Sequence, residues 1–321
     1  MNDKSIRKMK LQNRNGLTVL LGIAFVCVLF SCTTSTFATS SNIIRLLRQM
    51  VIMIVISTGM TFVVATGEMD ISVGAIYNLV VNSMALMILH LGLSPWLCAL
   101  IGLGIGILCG VFNGLIEAAL GLPSIIITLG TSYIYKGLTL VLTGGYSVGN
   151  LGKSTFFDFG IGSVFGINNT VYVALVIVVL SAFWLKHSAL CRDFLAIGSN
   201  LNASKYTGVP INKRKLQNEA IMGGFAGMAG ILSLAFMASA TSEGGSGYEM
   251  LAITAVVAGG GSTDGGTASV WGTLGGIALI MIIKNGLMLM GISSAYQEAT
   301  EGLLLVLAIA LQKLMAKKST R

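Results

Sequence analysis

Charge and proline are both scarce in this sequence. Charged residues make up 10% of the 321 positions, and only 3 prolines occur. Soluble globular proteins carry about 25% charged residues, so this scarcity argues against an ordinary water-soluble domain. Hydrophobic residues account for 54% of the chain, and its 41 glycines are typical of closely packed transmembrane helices. The sequence therefore predicts an all-α, polytopic integral membrane protein.

Catalytic and nucleotide-binding motifs are missing as well. The sequence has only 2 histidines and contains no HExxH or GxSxG pattern. No lysine follows the glycines at 259–266, and residues 147–154 have Ser147 where a phosphate-binding loop needs its first glycine. The 5 cysteines show no CxxC spacing and are expected to be packing residues. We therefore expect no enzyme activity, no metal site and no bound cofactor.

Long segments without Asp, Glu, Lys or Arg mark the expected spans, because roughly 20 apolar residues cross a hydrocarbon core. The longest, residues 71–116, has room for two crossings with a turn at 92–95. Residues 250–263 are too few for a full crossing and predict an interrupted or re-entrant helix. About ten transmembrane helices are therefore expected. The other charge-free segments are 15–44, 49–67, 118–135, 159–185, 220–242 and 265–283, and a last crossing is expected within about 292–312.

Lysine and arginine are concentrated near the two chain ends and in a central polar segment, residues 187–215. Positively charged loops of membrane proteins stay in the cytoplasm, so we expect both termini and the central polar segment on that side. Arg45 and Arg48 would lie near the outer end of the second span and fit this rule poorly. The expected division is a cytoplasmic basic tail at 1–15, a transmembrane domain at 16–314 that includes an external loop at 143–168, and a second basic tail at 315–321.

Two carboxylates, Glu68 and Asp70, lie between apolar spans. Each charge at the bilayer centre costs about 3 kcal/mol on insertion scales, so this segment is expected at an interface, in a cavity or beside a helix end. Asp70 is a candidate N-cap for the helix that follows, and direct contact with a solute is compatible with that role.

Two Asn-Gly pairs, at 113–114 and 285–286, lie late in expected helices. An acidic residue precedes each pair, Asp70 in the first case and Glu249 in the second. This pattern resembles an internal duplication, from which many transporters are built. Hydrogen bonding between helices and contact with a solute are both open interpretations of the two asparagines.

The motifs of residues 50–312 resemble, in their order, the permease subunits of ribose-type ATP-binding-cassette (ABC) importers. Glu68 stands where that family often has glycine, and Glu117 stands where an apolar residue is usual. The motifs that carry the resemblance are Gly67-x-x-Asp70-Ile71-Ser72-Val73-Gly74, Asn113-Gly114-Leu115, residues 122–130, Lys136-Gly137, residues 142–145, 197–200 and 207–209, Gly247-Tyr248-Glu249, Gly259-Gly260, Gly265-Gly266 and Asn285-Gly286-Leu287.

The resemblance implies an importer of two permeases, identical or paralogous, with a cytoplasmic ABC ATPase and an extracytoplasmic sugar-binding protein. The location would be the bacterial plasma (inner) membrane, with ATP and Mg²⁺ on the ATPase and none in this chain. The central polar segment would hold a coupling helix that docks into the ATPase, and residues 143–168 would face the binding protein. The residues assigned to coupling are Gly198, Asn200, Ala203 and Gly208, which would shape the helix and its turn, and Lys213 and Arg214, which with Lys215 would anchor it at the lipid surface.

The functional hypothesis is a permease subunit that passes a monosaccharide or related small polyol by alternating access. Its candidate path or gate residues are Asp70, Ser72, Asn113, Thr128, Glu249 and Asn285. The alternative is a self-sufficient secondary transporter or channel for a small polar solute, for which Lys136 and Lys284 are the candidate ionisable groups. The formal charge of +8 does not indicate nucleic acid, because the positive residues lie in short loops between apolar runs.

Overall fold

The computed structural model describes residues 3–319, which form thirteen α-helices and one two-stranded hairpin. Residues 1, 2, 320 and 321, which belong to the predicted basic tails, lie outside the described part. The elements are α1 (Asp3–Thr33), α2 (Ser40–Ala65), α3 (Val73–Leu91), α4 (Pro95–Leu120), α5 (Ser124–Thr143), α6 (Thr155–Ile161), β1 (Ser163–Val164), β2 (Ile167–Asn168), α7 (Asn169–His187), α8 (Ala189–Ser199), α9 (Leu201–Tyr206), α10 (Ile211–Met237), α11 (Tyr248–Ala258), α12 (Val270–Leu289) and α13 (Ser294–Ser319).

Seven helices of the described chain are long and apolar enough to cross a membrane, namely α2, α3, α4, α5, α7, α10 and α12. Two shorter apolar helical segments accompany them, Thr18–Thr33 within α1 and the whole of α11. A helical, multi-pass membrane protein is therefore confirmed, while the expected count of about ten crossings stays a prediction.

The loop expected at 143–168 contains regular structure. Helix α6 lies within it, and β1 pairs antiparallel with β2, with Ser163 opposite Asn168. The described chain is therefore predominantly helical, as predicted, and this short hairpin is an addition to the helices. Its two strands cover only two residues each, and alternation over two residues is too short to be seen in a sequence.

The turn between α3 and α4 follows from local chemistry. Gly92 adopts a left-handed conformation with φ +62° and ends α3, as glycine commonly does at a helix C-terminus. Ser94 accepts a hydrogen bond from the Leu97 backbone N–H, and Pro95 occupies the first turn of α4, where its missing N–H costs nothing. The turn expected at 92–95 is confirmed.

Helices α4 and α10 approach each other closely along a seam of small residues. A Cβ atom added at Gly106 would lie 2.5 Å from the carbonyl oxygen of Gly223, and one at Gly110 would lie 2.1 Å from that of Glu219. Glycines spaced four apart on a transmembrane helix permit this backbone contact, which replaces the hydrophobic driving force that lipid cannot supply. On α4 the spacing is kept at Gly102, Gly106, Gly110 and Gly114.

Helix α2 is central in the bundle. In the apolar 18-residue window of α2, 83% of the residues are buried. The corresponding fraction is 33% in each of α4, α5 and α7, whose outer faces are available for contact with lipid. Arg48, which fitted the charge rule poorly, lies in the first half of α2 and donates a hydrogen bond to the Phe236 carbonyl at 3.3 Å. Its guanidinium also lies 4.6 Å from the Phe236 ring centroid, a cation–π contact that offsets burial of the charge.

Candidate functional site

Asp70 is the centre of a buried polar network between α2 and α3. Its Oδ1 atom accepts hydrogen bonds from the backbone N–H and the hydroxyl of Ser72, both at 2.6 Å, and both residues are buried. The N-cap position of α3 is Ser72 and not Asp70 as expected, but the Asp70 carboxylate does accept a backbone N–H at the helix start. Asp70 lies two residues before Ser72 and stabilises the helix start by accepting hydrogen bonds from its N–H and hydroxyl groups.

Helices α4 and α5 complete this network. Asn113 donates its side-chain amide to Ser72 Oγ at 2.8 Å, and the Tyr135 hydroxyl bonds to Asn113 Oδ1 at 2.9 Å. Thr128 Oγ1 accepts the backbone N–H of Ile71 at 3.1 Å. We call Asp70, Ser72, Asn113, Thr128 and Tyr135 the Asp70 network. Four predicted path residues thus meet at one place, and sequence reasoning missed Tyr135.

The two remaining path candidates differ in position. Glu249, at the start of α11, packs against the first turn of α3, since a Cβ atom at Gly74 would lie 2.7 Å from its Oε2 atom. Asn285 of α12 is instead paired with Asn42 of α2, and the two amides exchange hydrogen bonds of 2.9 and 3.1 Å. The structure therefore separates Asn285 from the Asp70 network, and both Asn113 and Asn285 bond between helices.

The central polar segment contains two short helices, α8 and α9. Asn200 is the N-cap of α9, and its Oδ1 atom accepts the backbone N–H of Ala203 at 2.9 Å. Gly208 follows α9 with φ +82°, a backbone conformation that glycine adopts without strain. Helix α9 is mostly exposed and carries Tyr206 with 92% of its surface accessible. Such an isolated, exposed aromatic residue suits contact with another protein.

The end of α8 touches the membrane bundle through backbone atoms at Gly198. A Cβ atom at Gly198 would lie 2.2 Å from the Ala65 carbonyl oxygen and 2.4 Å from the Gly266 nitrogen. The Gly266 N–H in turn donates to the Ala65 carbonyl at 3.0 Å. The end of α2, the end of α8 and the glycine-rich turn after α11 are therefore in direct contact.

The basic residues at the start of α10 have different surroundings from those expected. Lys213 is exposed, whereas Arg214 pairs with Asp193 of α8 at 2.8 Å. Lys215 contacts the carboxylates of Glu68 and Glu117, the latter at 2.7 Å. Arg214 and Lys215 are thus ion-paired within the protein, which corrects the expectation that they anchor the segment at the lipid surface. Acidic partners 21 and 98 residues earlier in the chain explain why the local sequence did not reveal this.

Glu68, Glu117 and Glu219 form an acidic cluster beside Lys215. Each offers a carboxylate oxygen, and these atoms all lie within 4.8 Å of one another. Three oxygens at this spacing suit a divalent cation, but the ammonium group of Lys215 already contacts two of the three acids. Sequence reasoning singled out Glu68 and Glu117 as unusual and missed Glu219. The available signal was its position four residues after Lys215, on the same helix face.

Burial changes the acidity of the two carboxyl groups between α2 and α3. Desolvation raises the pKa of Asp70 to about 6, against the lowering effect of its Ser72 hydrogen bonds. Desolvation also raises the pKa of Glu68 to about 8, with a further increase from Glu117 and an opposing decrease from Lys215. The charged form of each acid is disfavoured because water is excluded around it.

Comparison with known proteins identifies the type of protein to which this arrangement belongs. Residues 42–309 match the family described as "Branched-chain amino acid transport system / permease component". The chain belongs to this permease family. The matched range contains the Asp70 network, the central polar segment and the acidic cluster, so all the features described above lie within the permease fold itself.

Curated relatives of this permease extend over nearly its whole length. It is 35% identical over 294 residues to the ribose import permease protein RbsC of Bacillus subtilis (strain 168), covering 91% of each chain. It is 33% identical over 306 residues to the D-allose transport system permease protein AlsC of Escherichia coli (strain K12), covering 95% of this chain and 93% of that one. No solved structure matches the chain. The chain is accordingly a multi-pass permease subunit of a transport system.

Proposed function

We propose that this permease passes a monosaccharide or related small polyol into the cell, driven by a separate cytoplasmic ABC ATPase. The observation that carries this proposal is the backbone contact between Gly198 of α8 and Ala65 of α2. This contact joins the central polar segment, which contains α8 and α9, to the helix next to the Asp70 network. The relatives named for ribose and D-allose support a small sugar as the solute.

The proposed assembly has two permease copies or paralogues, the ATPase and an extracytoplasmic sugar-binding protein in a bacterial plasma membrane. In this assembly ATP and Mg²⁺ would bind to the ATPase and not to the permease. Helices α1, α11 and α13 would complete about ten crossings, the number expected from the apolar runs. Both termini and the central polar segment would then lie in the cytoplasm, while α6 and the hairpin would face the binding protein.

In the proposed mechanism, closure of the ATPase on ATP displaces α9, and α8 transmits the movement to the end of α2. The segment that follows α2 carries Asp70, so the hydrogen bonds around Ser72 and Thr128 would rearrange as the path opens. A neutral sugar needs only weak polar contacts to pass, and hydroxyl and amide groups such as those of Thr128 and Asn113 provide them. Gly208 and Asn200 would fix the shape of α9, with Ala203, Lys213 and Arg214 beside the docking surface.

The alternative, a self-sufficient secondary transporter, has weaker support. Lys136 is exposed at 5.8 Å from the ring centroid of Tyr133, and Lys284 is paired with Glu301 at 2.6 Å. Neither lysine lies in the Asp70 network, so the two ionisable groups assigned to this alternative do not belong to the proposed path.

Uptake into vesicles tests the proposal. The permease would be reconstituted with a candidate ABC ATPase and a candidate sugar-binding protein, and a panel of labelled pentoses, hexoses and polyols would be supplied. We expect uptake of one of these solutes only with ATP on the ATPase side and with the binding protein present. Uptake by the permease alone, or uptake driven by an ion gradient without ATP, would instead support the alternative.

A further inference from the structure

The acidic cluster and Lys215 lie between the central polar segment and the Asp70 network. Lys215 is the last residue of the central polar segment and belongs to the first turns of α10. Its ammonium group contacts Glu68, which precedes Asp70 by two residues, and Glu117 of α4 at 2.7 Å. One side chain therefore touches both the segment between α2 and α3 and the helix that supplies Asn113.

Two nearby residues of α10, Asn218 and Glu219, also bond to neighbouring helices of the bundle. Asn218 donates hydrogen bonds to the Phe62 carbonyl at 3.1 Å and to Thr66 Oγ1 at 3.2 Å. Glu219 accepts a hydrogen bond from the Ser124 hydroxyl at 3.0 Å, at the start of α5. Positions 215, 218 and 219 share one helix face, so this face of α10 is bound to α2, α4 and α5 together.

We infer that Lys215 is a positioning residue that transmits movement of the central polar segment to the segment carrying Asp70. This inference rests on the proposed function. Buried ion pairs add little net stability, because desolvation offsets most of the attraction. Their value here is geometric, since a charged hydrogen bond fixes the distance between two elements more closely than apolar contact does. The resemblance to ribose-type permeases implies other residues at positions 68 and 117, so this ionic contact goes beyond what the resemblance implies.

The test compares sugar transported with ATP hydrolysed in vesicles that contain the ATPase and the binding protein. For Lys215→Met we expect ATP hydrolysis within about twofold of wild type and uptake per ATP reduced about tenfold. Lys215→Arg keeps the charge and should restore most of the ratio. If folded Lys215→Met protein loses uptake and ATP hydrolysis in the same proportion, the role of Lys215 is purely structural and the inference is overturned.

Two further variants keep the test decisive. Lys215→Met leaves Glu68 and Glu117 without their cation and can fail to fold. The triple variant Lys215→Met, Glu68→Gln, Glu117→Gln therefore removes all three ionisable groups at nearly constant volume. It should fold and remain uncoupled, and a wild-type ratio of uptake to hydrolysis in it would overturn the inference.

The control Lys284→Met breaks the Lys284–Glu301 pair of similar length, 2.6 Å, and should leave the ratio unchanged. If the wild-type assembly shows no ATP-dependent uptake, the proposed function fails rather than the role of Lys215.

Discussion

Gly198 lies against the carbonyl oxygen of Ala65 so closely that a Cβ atom would be 2.2 Å away. Real Cβ atoms do not approach an oxygen to this distance, and the neighbouring atoms are backbone, which cannot rotate away as a side chain can. The contact therefore fixes the position of α8 relative to the end of α2 with no intervening side chain.

Gly198→Ala should for this reason separate α8 from α2 and weaken coupling. Overpacking a close contact typically costs about 1–3 kcal/mol, so we expect a lower denaturation midpoint in detergent and a several-fold loss of uptake per ATP. Gly104→Ala is the matched control, because nothing lies within 4 Å of a Cβ atom there. Equal behaviour of the two variants would contradict the role given to the Gly198 contact.

Much of this fold was predictable from the sequence because its signals are local. The turn at 92–95 is marked by Gly92 and Pro95, and the short helix α11 by the small number of apolar residues between Glu249 and Asp264. Hairpin β1–β2 was not predictable, since two-residue strands leave no alternation to detect. The closeness of Asp70, Ser72 and Thr128 was suggested only by resemblance, because it depends on the packing of α3 against α5.

Gly208→Val should uncouple ATP hydrolysis from uptake while the protein still inserts into the membrane. Glycine at φ +82° adopts a conformation that costs other residues about 1–2 kcal/mol, and a branched side chain would shift the turn after α9. Uptake per ATP is the measurement, with insertion checked by membrane fractionation.

Gly92→Val provides the control for that substitution. Gly92 has φ +62° and, like Gly208, open space around a Cβ atom, so the local strain is comparable but lies at the turn between α3 and α4. We expect uptake per ATP close to wild type in Gly92→Val. Normal coupling in Gly208→Val would count against docking of α9 on the ATPase.

The Asn42–Asn285 pair should behave as a coupled unit in stability measurements. Replacing either residue by Leu leaves a buried amide without its partner, which costs about 1–3 kcal/mol. The double replacement removes both polar groups and should be closer to wild type than the sum of the single changes. Thermal unfolding of the four proteins in detergent gives the interaction energy, and strictly additive effects would show that the two amides do not depend on each other.

The ionic contacts of Lys215 illustrate what the sequence does not reveal. The sequence predicts Lys215 at a membrane surface with its neighbours Lys213 and Arg214. Glu219, four residues later, is a local difference from exposed Lys213, but it does not identify the ionic partners of Lys215. Its partners Glu68 and Glu117 lie about 150 and 100 residues earlier, so their approach depends on the packing of α10 beside α4. Only the unexpected polarity of Glu68 and Glu117 indicated that this region needed a partner.

Chemical labelling of single cysteines should place the central polar segment and the hairpin on opposite sides of the membrane. Tyr206 and Phe165 are the positions to use, because 92% and 97% of their surfaces are accessible and neither side chain supports the core. The native cysteines would first be replaced by serine or alanine, since Cys32 is exposed and would react as well.

In intact cells, a membrane-impermeant maleimide should label Phe165→Cys and leave Tyr206→Cys unreacted. After the membrane is opened both should react, which controls for the reactivity of position 206. Labelling of Tyr206→Cys from outside would exclude contact between α9 and a cytoplasmic ATPase, because a segment of this polarity does not cross the bilayer spontaneously.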